Sequence, residues 1–87
     1  MAKLRVGTDD DGKPRYFFFC PGCGNYHMFD GRWQWNGDMD KPTFSPSLLT
    51  GHTVGRPCHS FVRDGRIEYL NDCHHGLAGQ TIDMVEE

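Results

Sequence analysis

Four cysteines and five histidines stand among the 87 residues, and these are the side chains with the most chemistry to offer. The most specific local feature is Cys20-Pro21-Gly22-Cys23-Gly24. Two cysteines separated by two residues can grip one tetrahedral zinc through both thiolates. Gly24 allows the positive φ that closes such a turn and aims backbone N–H groups at sulfur. The pattern is that of a zinc knuckle at the tip of a β-hairpin. A redox dithiol is the rival reading, but it expects a strand leading into a helix with the first thiol at the helix N-terminus. Pro21, Gly22 and Gly24 point to a tight turn instead. Disulfides or free thiols are the remaining alternatives.

The other two cysteines are placed by a hairpin. Asp64-Gly65 between two apolar runs is a strong two-residue turn signal. With those residues in the loop, Val62 faces Ile67, Phe61 faces Glu68, Ser60 faces Tyr69 and Cys58 faces Asn71. Cys73 then shares a face with Cys58 and lies diagonally from it, roughly 7 Å away before the strands bend. The predicted ligand set is Cys20, Cys23, Cys58 and Cys73, a closed site for one Zn2+, with His75 and then His59 as substitutes for one cysteine. The same parity puts the His59 side chain on the opposite face from Cys58.

His59 and His74 each adjoin a cysteine, His75 stands two after Cys73, and His27 follows Cys23 by four residues. Around a closed zinc site they read as groups that hydrogen-bond the thiolates or nearby carbonyls. The sharper reading makes His27, His59 and His75, with Asp72 or Asp38, an open metal or acid–base site. Ser45 and Ser47 lack the strand-to-helix elbow of the hydrolase motif, so no serine hydrolase is expected. Trp33 and Trp35, two apart on one strand, read as core packing in a chain short of aliphatics. Exposed, they would form a recognition surface together with Asp38, Arg63 and Arg66.

The elements that must position these residues are short. Leu, Ile, Val and Phe make up just under a fifth of the chain, while 11 glycines and 5 prolines favour turns. A domain of this size buries a modest share of its surface and usually needs a disulfide, a metal or a partner. Strands are expected at Lys3 to Val6, Arg15 to Cys20, Tyr26 to Phe29, Arg32 to Trp35, Cys58 to Val62, Ile67 to Leu70 and Gln80 to Val85. Met39 to Pro57 is the least regular segment; Pro42 and Pro46 exclude a helix interior, and Thr43 to Ser47 reads as extended chain wrapped over a surface. No segment holds a helical apolar period. The fold class is therefore mainly β: one small antiparallel, zinc-ribbon-like domain over residues 1–87, its hairpins stapled by one zinc.

No apolar run approaches the ~18 residues of a membrane span, and the first residues lack a signal-peptide segment. The expected location is the cytoplasm, where cysteines more often bind metal than form disulfides. A net charge of −3 gives no global basic field for nucleic acid. A local face of Arg32, Arg56, Arg63 and Arg66 keeps that partner open without support from the net charge.

Phe18-Phe19-Cys20-Pro21-Gly22-Cys23-Gly24, His27, Trp35-Asn36-Gly37-Asp38, Pro42-Thr43-Phe44-Ser45-Pro46-Ser47, Cys58-His59-Ser60-Phe61, Asp64-Gly65, Asp72-Cys73, His75 and Leu77-Ala78-Gly79-Gln80-Thr81 occur here in order. Over about residues 16 to 84 this series resembles a family of small, uncharacterised proteins of tailed bacteriophages and prophages, sometimes mislabelled ammonia monooxygenase. The resemblance implies a phage or prophage origin, hence the cytoplasm of a bacterial host, and a zinc-ribbon-like fold with no established activity. It also strengthens His75 and His59 as ligand or functional residues. The expectation is a zinc-binding β module that binds a host or phage macromolecule, protein rather than nucleic acid, and is not an enzyme. The competing expectation is a small metal-dependent hydrolase using His27, His59 and His75 around an open metal site.

Overall fold

Glycine-bearing turns cut the chain into short extended runs, and alternation of apolar and polar residues decides which face of each run is buried. The computed structural model describes residues 2–87; Met1, included in the single domain read from the sequence, lies outside them. Strands β1 (Arg5–Thr8), β2 (Pro14–Cys20) and β3 (Asn25–Phe29) form one antiparallel sheet in the order β1-β2-β3. Strands β4 (Gln34–Trp35), β5 (Phe44–Thr50), β6 (Cys58–Arg63), β7 (Arg66–Tyr69) and β8 (Thr81–Asp83) form a second, in chain order and again antiparallel. One 3₁₀ turn, His52–Val54, is the only helical element among the described residues. No helix there is long and apolar enough to cross a membrane. The mainly antiparallel β class read from the sequence is the one observed.

The β6–β7 register is the expected one, with Ser60 opposite Tyr69 and Val62 opposite Ile67. Cys58, Ser60 and Val62 are buried, while His59 and Phe61 point the other way. The ladder stops at Tyr69, so Cys58 has no strand partner at Asn71; the chain turns there instead. Some boundaries move. β1 begins at Arg5 rather than Lys3, Trp33 precedes β4, and β8 is confined to Thr81–Asp83.

One segment is different in kind. Phe44–Thr50 is a full member of the larger sheet between β4 and β6, where the sequence alone has only Thr43 to Ser47 as extended chain over a surface. Pro46 is tolerated because it falls in an irregularity of the ladder. Phe44 pairs with Val62 and Leu48 with Ser60, so Ser45, Pro46 and Ser47 together face Phe61 alone.

The two sheets meet through aromatic rings. Phe29 of β3 stacks on Phe44 of β5, with centroids 3.9 Å apart and planes 2° from parallel, and Phe18 stacks on Phe29 at 5.6 Å. Leu48, Val62, Ile67, Tyr69 and Met84 complete the core. At one end of this core lie Cys20 and Cys58, both fully buried.

Candidate functional site

The knuckle turn brings three sulfurs together. Gly24, at φ 73°, closes the turn with its N–H on the Cys20 carbonyl at 2.8 Å, and the Cys23 N–H points at the Cys20 sulfur at 3.4 Å. The Cys20 and Cys58 sulfurs are 4.0 Å apart, and the Tyr69 hydroxyl lies 3.1 Å from that of Cys20. Cys20, Cys23, Cys58 and His27 each offer a ligand atom within 4.8 Å of the others. A second group, Cys58, Cys73 and His75, shares Cys58 with the first. All four cysteines are free thiols.

The electrostatics are those of a cluster waiting for positive charge. The hydrogen bond from Cys58 does most to pull the Cys20 thiol down to about 2, against the opposing effect of burial. Cys58 is pushed up in turn, first by giving that hydrogen bond and then by burial. Burial, then the Cys20 charge, raises Cys23 to about 11. One thiolate is therefore surrounded by groups that keep their protons. A cation fits the donor set: soft sulfurs, a buried His27 Nε2 without a hydrogen-bond partner, and a glycine that leaves room for a histidine ring. That glycine is Gly22, where a Cβ would collide with the imidazole of His75. The Cys/His groups could hold a metal ion, as the sequence led one to expect.

The opposite face of β6 carries a second constellation. Leu49 of β5 is paired with His59. Ser47 lies two residues from Leu49 on the same face and so sits diagonally from His59, within reach of a ring. Its Oγ is 2.9 Å from His59 Nε2. Beyond β7 the turn places Asp72 beside the same ring, with Oδ2 3.1 Å from His59 Nδ1. Asp72 accepts the Nδ1 proton, leaving the Nε2 lone pair to accept from the Ser47 hydroxyl. Serine, histidine and aspartate thus stand in the order of a nucleophile, its base and the group that orients the base.

Ser47 stands in no strand-to-helix elbow, as read from the sequence, yet its strand sets its Oγ against His59. The hydrolase elbow is one way to present a serine; here an irregular strand does so. His59 and Asp72 were singled out from sequence, and the missing signal was Ser47-Leu48-Leu49-Thr50 read as a strand against Cys58-His59-Ser60. His59 belongs to neither thiol group, whereas His27 and His75 both face sulfur, so the three histidines do not converge on one site.

Two hydrogen bonds at Cys73 link the constellations, and a tryptophan joins Ser47 to the aromatic core. The Cys73 sulfur accepts the His59 N–H at 3.2 Å and donates to the His59 carbonyl at 3.1 Å. Trp33 Nε1 donates to the Ser47 carbonyl at 3.3 Å while its ring meets Phe29 edge-on. Trp33 and Trp35 are half-buried, and with Tyr16 they line an open cleft of about 560 Å³. His74 Nε2 lies 3.4 Å from the Cys23 sulfur, and its ring meets that of His75 edge-on.

The remaining surface candidates are engaged locally. Asp38 accepts the N–H groups of Asp40 and Lys41 in its own turn. Arg63 pairs with Glu68 and lies over the Phe61 ring, and Arg66 pairs with Asp83. Arg32 pairs with Asp30.

No curated protein and no solved structure matches the chain. The phage or prophage origin implied by the sequence resemblance gains no support from relatives. A family model does match: the one described as bacterial ubiquitination-like system serine protease (BubE) covers residues 2–70, well over half of the chain, and the chain belongs to that family.

Proposed function

We propose that this protein is a serine peptidase whose nucleophile is Ser47, whose general base is His59 and whose orienting carboxylate is Asp72. The observation that carries the reading is the pair of contacts on one imidazole, 2.9 Å to Ser47 Oγ and 3.1 Å to Asp72 Oδ2. The family's description as serine protease supports it, and its matched residues include Ser47 and His59. The expectation of a module without catalysis rests in part on the lack of a complete catalytic constellation, and the contacts of Ser47, His59 and Asp72 supply a candidate for one.

Ser47 Oγ attacks the carbonyl carbon of the scissile peptide as His59 Nε2 takes the hydroxyl proton. The tetrahedral intermediate collapses when the same imidazolium returns that proton to the departing amine, leaving an ester on Ser47. Water, deprotonated by His59, then attacks the ester carbonyl, and the C–O bond to Ser47 breaks as the imidazolium returns the proton to the serine oxygen, releasing the carboxylic acid product. Asp72 holds the ring in the required tautomer and stabilises the imidazolium that forms twice per cycle.

Zinc is the metal best suited to the sulfur-rich cluster, where Cys20, Cys23, Cys58 and a histidine would hold it and it would supply cross-linking rather than catalysis. It ties the β2–β3 turn to β6, joining the two sheets at one end as Phe29 and Phe44 join them in the middle.

Hydrolysis of a fluorogenic peptide library by purified protein tests the reading. Activity present in wild type and in Ser45→Ala, and lost in Ser47→Ala, is expected. Activity that survives in Ser47→Ala would overturn it.

A further inference from the structure

We infer that the metal shell is Cys20, Cys23, Cys58 and His27 Nε2, with His75 as a hydrogen-bond donor to the thiolates and Cys73 outside the shell. This concerns the other face of β6 and stands whether or not the protein hydrolyses peptides.

A histidine ligates through a lone pair while its other nitrogen donates a proton outward. His27 has that arrangement. Its Nδ1 faces the Thr50 hydroxyl at 3.5 Å, its Nε2 is buried without a partner, and the ring offers a nitrogen within 4.8 Å of three sulfurs. A buried imidazole nitrogen with nothing to bond is costly unless something occupies the space before it. Here that space is bounded by thiols.

His75 has the reverse arrangement. Its Nδ1 accepts the Leu77 N–H at 3.2 Å, so the neutral ring carries its proton on Nε2. That N–H points at the Cys58 sulfur at 3.4 Å and lies 4.0 Å from Cys20. A protonated nitrogen cannot ligate, but it suits a thiolate. Three thiolates around a dication leave one net negative charge, and a donor pressed onto the turn at Gly22 offsets it. Cys73 is committed elsewhere. Its sulfur accepts one backbone bond from His59 and gives its proton to another, so ligation would forfeit the second.

X-ray absorption at the zinc edge of the purified full chain counts the shell directly. One zinc with three sulfurs at about 2.3 Å and one nitrogen at about 2.0–2.1 Å is expected. Cys73→Ser should keep this shell and bind zinc within about threefold of wild type. His75→Gln should keep it too, with affinity weakened about 10–100-fold, as for groups that hydrogen-bond metal ligands. His27→Ala should lose the nitrogen. A four-sulfur shell in wild type, loss of a sulfur in Cys73→Ser, or loss of the nitrogen in His75→Gln would each overturn the assignment. The wild-type and His75→Gln spectra decide it even if His27→Ala does not fold.

Discussion

Cys58 and His59 are consecutive residues of β6 whose side chains leave opposite faces of the same sheet, one into the thiol cluster and the other between Ser47 and Asp72. The period-two geometry of a strand thus makes one peptide bond the seam between the Cys/His cluster that could hold a metal and the proposed catalytic relay. Cys73 strengthens the seam by bonding both backbone groups of His59.

Removing the metal should therefore cost both stability and activity. With free zinc held at 100 times its Kd, stripping it costs about 2.7 kcal/mol. For a domain of this size that lowers the melting temperature by roughly 10–20 °C. Calorimetry with and without chelator, alongside peptide turnover, checks this. Unchanged melting would mean that the thiols do not staple the fold.

Asp72→Asn should leave the fold intact and disable the relay. An amide in place of the carboxylate favours the wrong tautomer, and kcat should fall by about 10²–10⁴ with little change in KM. Steady-state kinetics measure the split. A rise in KM with kcat unchanged would place Asp72 in substrate binding instead.

Gly22→Ala tests the fit of the His75 ring against the knuckle. The added methyl must displace that imidazole, at about 1–3 kcal/mol for overpacking, and zinc affinity should weaken. Competition against a chromophoric chelator reads the affinity. At saturating zinc the relay should turn over normally, because Gly22 contacts none of its members.

Trp33→Phe keeps a ring against Phe29 and removes the indole N–H from the Ser47 carbonyl. Loss of one such bond costs about 0.5–1.5 kcal/mol, measurable by urea unfolding. A larger loss would show that Trp33 matters mainly by packing.

Much of this fold is legible in the residues. Asp64-Gly65 sets the β6–β7 register, that register separates Cys58 from His59, and Cys-Pro-Gly-Cys-Gly announces the knuckle. What the sequence hides is the partner of β6 on its other side. Ser45-Pro46-Ser47 breaks the alternation that would reveal a strand, and the break lies where the ladder slips. Without that strand Ser47 has no neighbour in view, so His59 and Asp72 stand out as candidates while the proposed nucleophile is set aside. The turn after Tyr69, which brings Asp72 to the ring, depends on tertiary packing and leaves no periodic trace.

The most direct measurement is labelling with a fluorophosphonate, which forms an ester with a serine activated by a neighbouring imidazole. Peptide mass spectrometry of the labelled zinc-loaded protein should find one adduct, on Ser47, absent in His59→Ala. No adduct, an adduct on Ser45, or labelling of Ser47 that persists without His59 would contradict the relay.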